Sequence, residues 1–349
     1  MSLIKNLYLY TIALAIGLSA CKKTEETPHG EFAQGVFVVN EGNFQDADGT
    51  VGYYDPTDGT IVQNIYEKAN GSSLTGHFQS VYFAGEYAFI IDDAGSKIEV
   101  VEAETFKHVA TINEGLNTPR YMTVANGKGY VSNWGEYDAT NYTYLNPYVA
   151  VIDLTNFNVI QSIITDNGVE GMITVGNKIY AAASFSNVVH VIDPTNDAIT
   201  GGFTTPGGPR QFAEDNTGKL WVVCYDYATA SLARLNLSNE LVETSFSVSN
   251  GALAIAANKA GDKIYYLCAP YGASAKVYSM ESSATFAPLE PIINGDQFYG
   301  LGVDPKNEII YVARLNGSNN GTVIRYSSDG TEMDNFPAGR FPNGFVFRE

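Results

Sequence analysis

Positive charge is scarce in this chain: 20 Lys and Arg stand against 38 Asp and Glu in 349 residues, a formal net charge of −18. Phosphate backbones are held by clustered Lys and Arg, so nucleic acid is excluded as a partner. Histidine is scarcer still, with only His29, His77, His108 and His190. None stands beside Cys, Asp or Glu at ligand spacing, so no metal and no other cofactor is expected. The chain lacks Gly-x-Ser-x-Gly and shows no nucleophile beside a recognisable base, so catalysis is not expected. Carboxylates distant in sequence are still free to meet in the folded chain. Long apolar runs are missing too. The run Leu7–Leu18, preceded by Lys5, is shorter than the ~20 apolar residues that span a bilayer, and it reads as a signal-peptide core.

What the chain has in quantity is Gly (34) and Tyr (23), the composition of a turn-rich all-β protein. Between Gly171 and Gln211, four short runs rich in β-branched and aromatic residues are separated by Gly, Asn, Asp and Pro. They read as four antiparallel strands, A to D, joined by tight turns. One such sheet cannot bury both faces alone and needs copies of itself. The B run recurs as GVFVVNE, YAFIID, KGYVSN, KIYAAAS, KLWVVCY, KIYYLCA and EIIYVAR, each with one aromatic in the same place. Those residues are Phe37, Phe89, Tyr130, Tyr180, Trp221, Tyr265 and Tyr311, at intervals of 52, 41, 50, 41, 44 and 46. A propeller blade repeats every ~40 to 50 residues, so the expected fold is an all-β, seven-bladed propeller of four-stranded antiparallel blades.

The first blade is out of phase: Val36–Glu41 is a B strand with no A strand before it, while Gly344–Phe347 is an A strand with no B strand after it. Pairing the two closes the ring and leaves no edge there. The other A strands are expected near Ser80–Ala84, Tyr121–Ala125, Gly171–Val175, Gln211–Asp215, Ala252–Ala256 and Gly300–Asp304. Asp55-Pro56-Thr57-Asp58-Gly59, Asp153–Asn156 and Asp193–Asp197 read as C–D turns capped by their own side chains. Asp46-Ala47-Asp48-Gly49 lacks the further oxygen ligands of a calcium loop and reads as a turn as well. Cys224 and Cys268 each follow the B-strand aromatic by three residues in neighbouring blades. Equivalent positions in adjacent blades exceed the ~7 Å reach of a disulfide, so both are expected to be buried free thiols.

Strand alternation puts the A–B and C–D loops on one face of the disc and the B–C and D–A loops on the other. The A–B loops are short and plain. The opposite face collects Asn43, Phe44, His77, Phe78, Arg120, Trp134, Tyr137, Tyr142, Tyr144, Phe185, Arg210, Tyr225, Tyr227, Tyr271, Phe298, Tyr299, Arg314, Asn316 and Arg340. Rigid amphipathic rings supply contact area and the polar groups supply orientation, so these residues are the candidate ligand site. The insertion Asn133–Pro147 carries four aromatics and is long enough to have a function of its own.

Leu18-Ser19-Ala20-Cys21 resembles a bacterial lipobox. The resemblance implies cleavage after residue 20, acylation of Cys21 and attachment to a membrane through lipid alone. Loss of residues 1–20 removes Lys5 and no acid, leaving a charge of −19 (19 − 38). Residues 21–34 form a polar tether with too few apolar groups to fold, and residues 35–349 form one propeller. Lys22-Lys23-Thr24-Glu25-Glu26 resembles the export signal of surface lipoproteins in Bacteroidota, which implies an outer-membrane protein facing outward.

Gly35–Phe347 resembles the YVTN-type, YncE-like seven-bladed propellers of bacterial surfaces. Phe37-Val38-Val39-Asn40-Glu41-Gly42-Asn43-Phe44, Gly52-Tyr53-Tyr54-Asp55, Thr118-Pro119-Arg120-Tyr121 and Tyr148–Asp153 are similar to a Bacteroidota lipoprotein branch of that group. The branch includes surface lipoproteins that capture cobalamin for a TonB-dependent outer-membrane transporter. The resemblance therefore implies a bulky organic ligand, a corrinoid above all, and a transporter partner. Two other readings stay open: a protein-interaction or adhesion module, and a propeller lyase or lactonase, whose mark would be a carboxylate and His cluster facing the funnel.

Overall fold

A computed structural model describes residues 30–166, 168–226 and 229–349. Cys21, the signal segment, the tether up to residue 29 and Tyr227 lie outside the described residues. The chain forms seven four-stranded antiparallel sheets arranged as the blades of a propeller. In the second blade, strands A to D are Phe78–Ala84, Tyr87–Asp92, Lys97–Glu102 and His108–Ile112. In every blade the A strand faces the axis, packed against the A strands of its neighbours.

The ring closes as the phase of the sequence implies. Pro342–Arg348 pairs with Gly35–Asn40, with Val36 opposite Phe347, Phe37 opposite Val346 and Val38 opposite Phe345. The borrowed strand thus becomes strand A of blade 1 and removes the open edge that a ring of repeats would otherwise present. Tyr54 stacks on Phe336 of blade 7 with ring centroids 4.4 Å apart, and Phe347 meets Tyr311 edge-on at 5.3 Å.

The core is divided among the interfaces between blades. Each of the seven B-strand aromatics is buried and packs toward the following blade: Phe37 lies between blades 1 and 2, Tyr130 between 3 and 4, and Tyr311 between 7 and 1. Residues one position away point to the preceding blade, as the two-residue period of a strand requires. Val36 and Val38 therefore join Tyr311, while Phe37 and Val39 join Phe78 and Ile90. Cys224 and Cys268 are buried free thiols in different interfaces, and burial pushes both up to about 12.

Two places depart from the repeat. In blade 1 the outer strand is cut to Ile61–Val62 and followed by a helix, Ile65–Asn70. Asn64 caps the helix by accepting from the Glu67 N–H, Gly71 ends it at φ 77°, and Ile65 and Tyr66 fill the space that a longer strand would cover. In blade 3 the insertion folds into its own hairpin, Glu136–Asp138 against Thr143–Leu145. No helix among the described residues is long and apolar enough to cross a membrane.

Candidate functional site

Most A strands begin two residues earlier than the hydrophobic pattern implies, at Phe78, Pro119, Val169, Pro209 and Phe298, because each carries a bulge just inside its start. In blade 2, Phe78 pairs with Asp92 and Ser80 with Ile91, which leaves Gln79 without an opposite residue. The same irregularity recurs in every blade. A bulge re-aims the side chain it carries. Here it turns Gln79, Arg120, Glu170, Arg210, Leu253, Tyr299 and Asn343 toward the axis, where all seven line a cavity of about 130 Å³ together with Glu41, Tyr121 and Gln211. The backbone leading into the bulges is strained. Thr118, Gln297 and Phe341, each just before an A strand, sit at φ 50°, 60° and 50°, a region costly for a β-branched or bulky side chain.

Most of the ring is tied together. Arg120 donates from Nε and Nη2 to the two Glu170 oxygens at 3.3 and 3.2 Å and from Nη1 to Asp93, and its guanidinium lies 4.0 Å from the centre of the Trp134 ring. Asp93 also holds His77 Nδ1 at 2.7 Å, and His77 Nε2 stands 4.0 Å from Glu41. Glu41 accepts from Tyr299 Oη at 2.9 Å on one oxygen and from Asn343 Nδ2 at 2.7 Å on the other. Gln79 and Gln211 both donate to Tyr121 Oη, at 2.9 and 3.3 Å. Burial pushes the Glu41 carboxyl above its ordinary value, against the pull of His77 and its two donors. Burial alone would lower His77, but the hydrogen bond and charge of Asp93 and the charge of Glu41 outweigh it and leave the imidazole raised. Tyr121 is pushed up to about 12, first by burial and then by Glu170.

This network corrects the reading of His77 as a histidine with no acidic cluster nearby. Asp93 and Glu41 are 16 and 36 residues away in sequence and come together only because all three residues sit at the funnel end of blades 1 and 2. Among the described residues, no group of three or more His, Cys, Asp or Glu is arranged to hold a metal ion.

Outside the ring, two of the larger hollows on the same face adjoin the axial cavity. One of about 470 Å³ lies between blades 4 and 5 and is lined by Phe185, Pro206, Arg210, Tyr225 and Asp226 among others. Another of about 1010 Å³ lies over blades 5 to 7 and is lined by Tyr225, Leu253, Tyr271, Phe298 and Tyr299 among others. The three spaces share walls: Arg210 joins the axial cavity to the 470 Å³ hollow, Tyr225 joins the two hollows, and Leu253 and Tyr299 join the axis to the largest. Bulky ligands are held in concave, largely apolar sites with a few placed polar groups.

Residues 34–348 match the model of a domain of unknown function, DUF5074. The chain belongs to that family. No curated protein matches it. Among solved structures, a quinonprotein alcohol dehydrogenase-like protein from Bacteroides thetaiotaomicron is 14% identical with a TM-score of 0.69, over 91% of this chain and 79% of that one. A protein described as a candidate 6-phosphogluconolactonase from Bacteroides fragilis is 11% identical with a TM-score of 0.68, over 93% and 100%. The hydrazine synthase of Kuenenia stuttgartiensis is 17% identical with a TM-score of 0.62, over 78% and 91%. At these identities the likeness is one of fold.

The DUF5074 propeller brings most of the candidate residues to one face but spends some of them on structure. Phe78 is a correction: it is 1% exposed and belongs to the core between blades 1 and 2, whereas Phe298, 3% exposed, packs into the core between blades 6 and 7 and still lines the 1010 Å³ hollow. Arg340 donates to Asp46 at 2.7 Å and Asp48 at 2.6 Å, so the carboxylates of that turn hold a guanidinium that clamps the closed ring. Asn43 accepts from the N–H of Gln45 and of Asp46 within its own turn. Phe44 is exposed and meets His77 edge-on at 5.5 Å. Trp134 packs with Tyr144 and Phe185, while Tyr137, Tyr142 and Tyr271 are exposed. Arg314 and Asn316 are exposed at the end of strand B of blade 7, paired with Thr322 and Asn319 of strand C. Tyr227 lies outside the described residues. Sequence reasoning missed Glu41, Gln79, Asp93, Tyr121, Glu170, Gln211, Leu253 and Asn343. The signal that finds four of them is positional: the residue after the first of each A strand, whatever its type.

Proposed function

We propose that this chain is a non-catalytic, lipid-anchored binding protein whose funnel face captures a bulky organic nutrient, a corrinoid such as cobalamin, for a TonB-dependent outer-membrane transporter. One observation carries the reading: three adjoining spaces on one face, the largest about 1010 Å³, are walled by aromatic and amide side chains with a few charged groups and share Arg210, Tyr225, Leu253 and Tyr299. That is room for a ligand much larger than a metabolite anion. The carboxylate and His cluster suits a scaffold better than an acid–base catalyst, since Arg120 and both Glu41 oxygens are already engaged by protein groups.

Phe32 and Ala33 are buried, which corrects the expected unfolded tether over its last residues, 30–34, and the route of that segment supports capture from the medium. Phe32 is buried against Tyr53 and Phe106, and its N–H donates to the Glu104 carbonyl in the C–D loop of blade 2, on the face opposite the funnel. A lipid on Cys21 is then no more than about 40 Å of extended chain from Phe32 on that far face, and the funnel opens away from the attachment point. Calorimetric titration of the purified propeller, residues 30–349, with cyanocobalamin tests the reading. Saturable one-to-one heat at micromolar protein is expected; its absence removes the corrinoid. Incorporation of labelled fatty acid that is lost in Cys21→Ser tests the anchor.

A further inference from the structure

Arg120 and Arg210 occupy the same bulge position in blades 3 and 5, yet they are treated differently. Arg120 is held by Asp93 and Glu170 and covered by Trp134. Arg210 makes no ion pair and no hydrogen bond among the described residues, and its Nε is buried without a partner. Its one contact of note is with the Tyr225 ring, 5.1 Å from the guanidinium carbon, which fixes the direction of the fork and leaves its N–H groups unspent. Asp226 lines the same 470 Å³ hollow but is occupied by Thr229, which donates from its N–H at 2.9 Å and its hydroxyl at 3.1 Å. A buried N–H with no acceptor costs free energy until one arrives, and a planar fork matches the two oxygens of a carboxylate or a phosphate.

We propose that Arg210 is the anion subsite of the funnel: it receives a carboxylate or phosphate oxygen pair at the joint between the axial cavity and the hollow of blades 4 and 5. The apolar body of the ligand then lies along Tyr225 and Leu253 toward Tyr271. This rests on reading the face as a ligand site, and it narrows the ligand to one that carries an oxyanion at the edge of a large apolar or amide-rich body.

The first test needs no ligand beyond inorganic phosphate. Phosphate is titrated into the 15N-labelled propeller at constant ionic strength, and the arginine side-chain Nε–H signals are followed, with Arg210 assigned through Arg210→Gln. A saturable shift at Arg210 in the millimolar range, with Arg120 unmoved, is expected. No saturable shift, or an equal shift at both arginines, overturns the subsite. The second test compares cyanocobalamin with dicyanocobinamide, which lacks the nucleotide loop and its phosphodiester. Arg210→Gln is expected to weaken cyanocobalamin at least tenfold and leave cobinamide within twofold, with Arg210→Lys in between; an equal effect on both corrinoids overturns the assignment. If neither corrinoid binds while phosphate still shifts Arg210, the corrinoid reading fails and the subsite stands.

Discussion

The seven bulge positions around the axis fall into two arcs of different character. From blade 7 through blades 1 to 4, Tyr299, Asn343, Gln79, Arg120 and Glu170 are joined to one another and to Glu41, His77, Asp93 and Tyr121 by hydrogen bonds and ion pairs. Across blades 5 and 6, Arg210 and Leu253 have no such links; the 470 Å³ hollow opens beside Arg210 and the largest hollow over Leu253. Both arcs are built by one backbone device, so what separates them is side-chain chemistry alone. In the locked arc the side chains brace one another and Asn343 leaves only its Oδ1 buried without a partner, whereas in the open arc the Arg210 side chain has no hydrogen bond or ion pair among the described residues and is poised for something that arrives.

The locked arc depends first on closure. Removing Pro342–Arg348 takes away strand A of blade 1 together with Asn343, which bonds both Glu41 and the Gln79 carbonyl. The truncated chain is expected to lose its single cooperative melting transition altogether. If it melts as the full chain does, the last strand does not seal the ring. One step down in size, Glu170→Ala leaves Arg120 buried with one of its two carboxylates and should destabilise by about 3 kcal/mol in chemical denaturation. Arg210→Ala in the open arc should move stability by no more than about 0.5 kcal/mol. Equal losses in the two variants would erase the distinction between the arcs.

Binding should show the opposite ranking. Tyr225→Ala removes the ring that positions Arg210 and walls both hollows, and is expected to weaken cyanocobalamin about tenfold, or about 1.4 kcal/mol. Gln79→Ala, whose side-chain amide is spent on Tyr121 Oη, should change affinity less than about threefold. Isothermal titration of the two variants side by side decides it, and a larger loss from Gln79→Ala would move the ligand to the locked side.

The fold was legible because one signal recurs in phase: a large aromatic in the middle of each B strand must be buried, and the packing needs it at the same place in every blade. Closure was legible from the mismatch between the two ends of the chain. The site was legible only in part. Arg120, Arg210, Trp134, Phe185, Tyr225, Tyr271 and Tyr299 stood out as aromatics and arginines in loops on the right face. The axial ring, to which only Arg120, Arg210 and Tyr299 of these belong, did not, because a bulge interrupts the two-residue alternation that identifies a strand, so its residues read as loop. The bulge position also carries Gln, Arg, Glu, Arg, Leu, Tyr and Asn in turn, and no repeated residue type marks it. Phe78 misled for the same reason: one residue before the bulge, a side chain points into the core and not toward the axis. The helix of blade 1 was hidden by its brevity, six residues between a capping Asn64 and Gly71.

The smallest expected effect separates the arcs by pH. Glu41 and His77 both lie in the locked arc and both bind their protons more tightly in the folded chain than their ordinary values imply. A group whose folded value is raised contributes stability that is complete below its unfolded value and is lost as pH rises through the folded one. For Glu41 that loss begins above the ordinary carboxyl range, and for His77 above the ordinary imidazole range, so the two act in the same direction. Between pH 6 and pH 8 the His77 part should lower the melting temperature by roughly 2 °C for a chain of this size. Because the whole acidic surface also responds to pH, the informative quantity is the difference between the native chain and His77→Gln, measured by calorimetry at each pH. The difference should shrink as pH rises, while Arg210→Gln should track the native chain at every pH. A difference that grows with pH would mean that Asp93 and Glu41 do not hold His77 as a cation, and that the locked arc is secured by Arg120 alone.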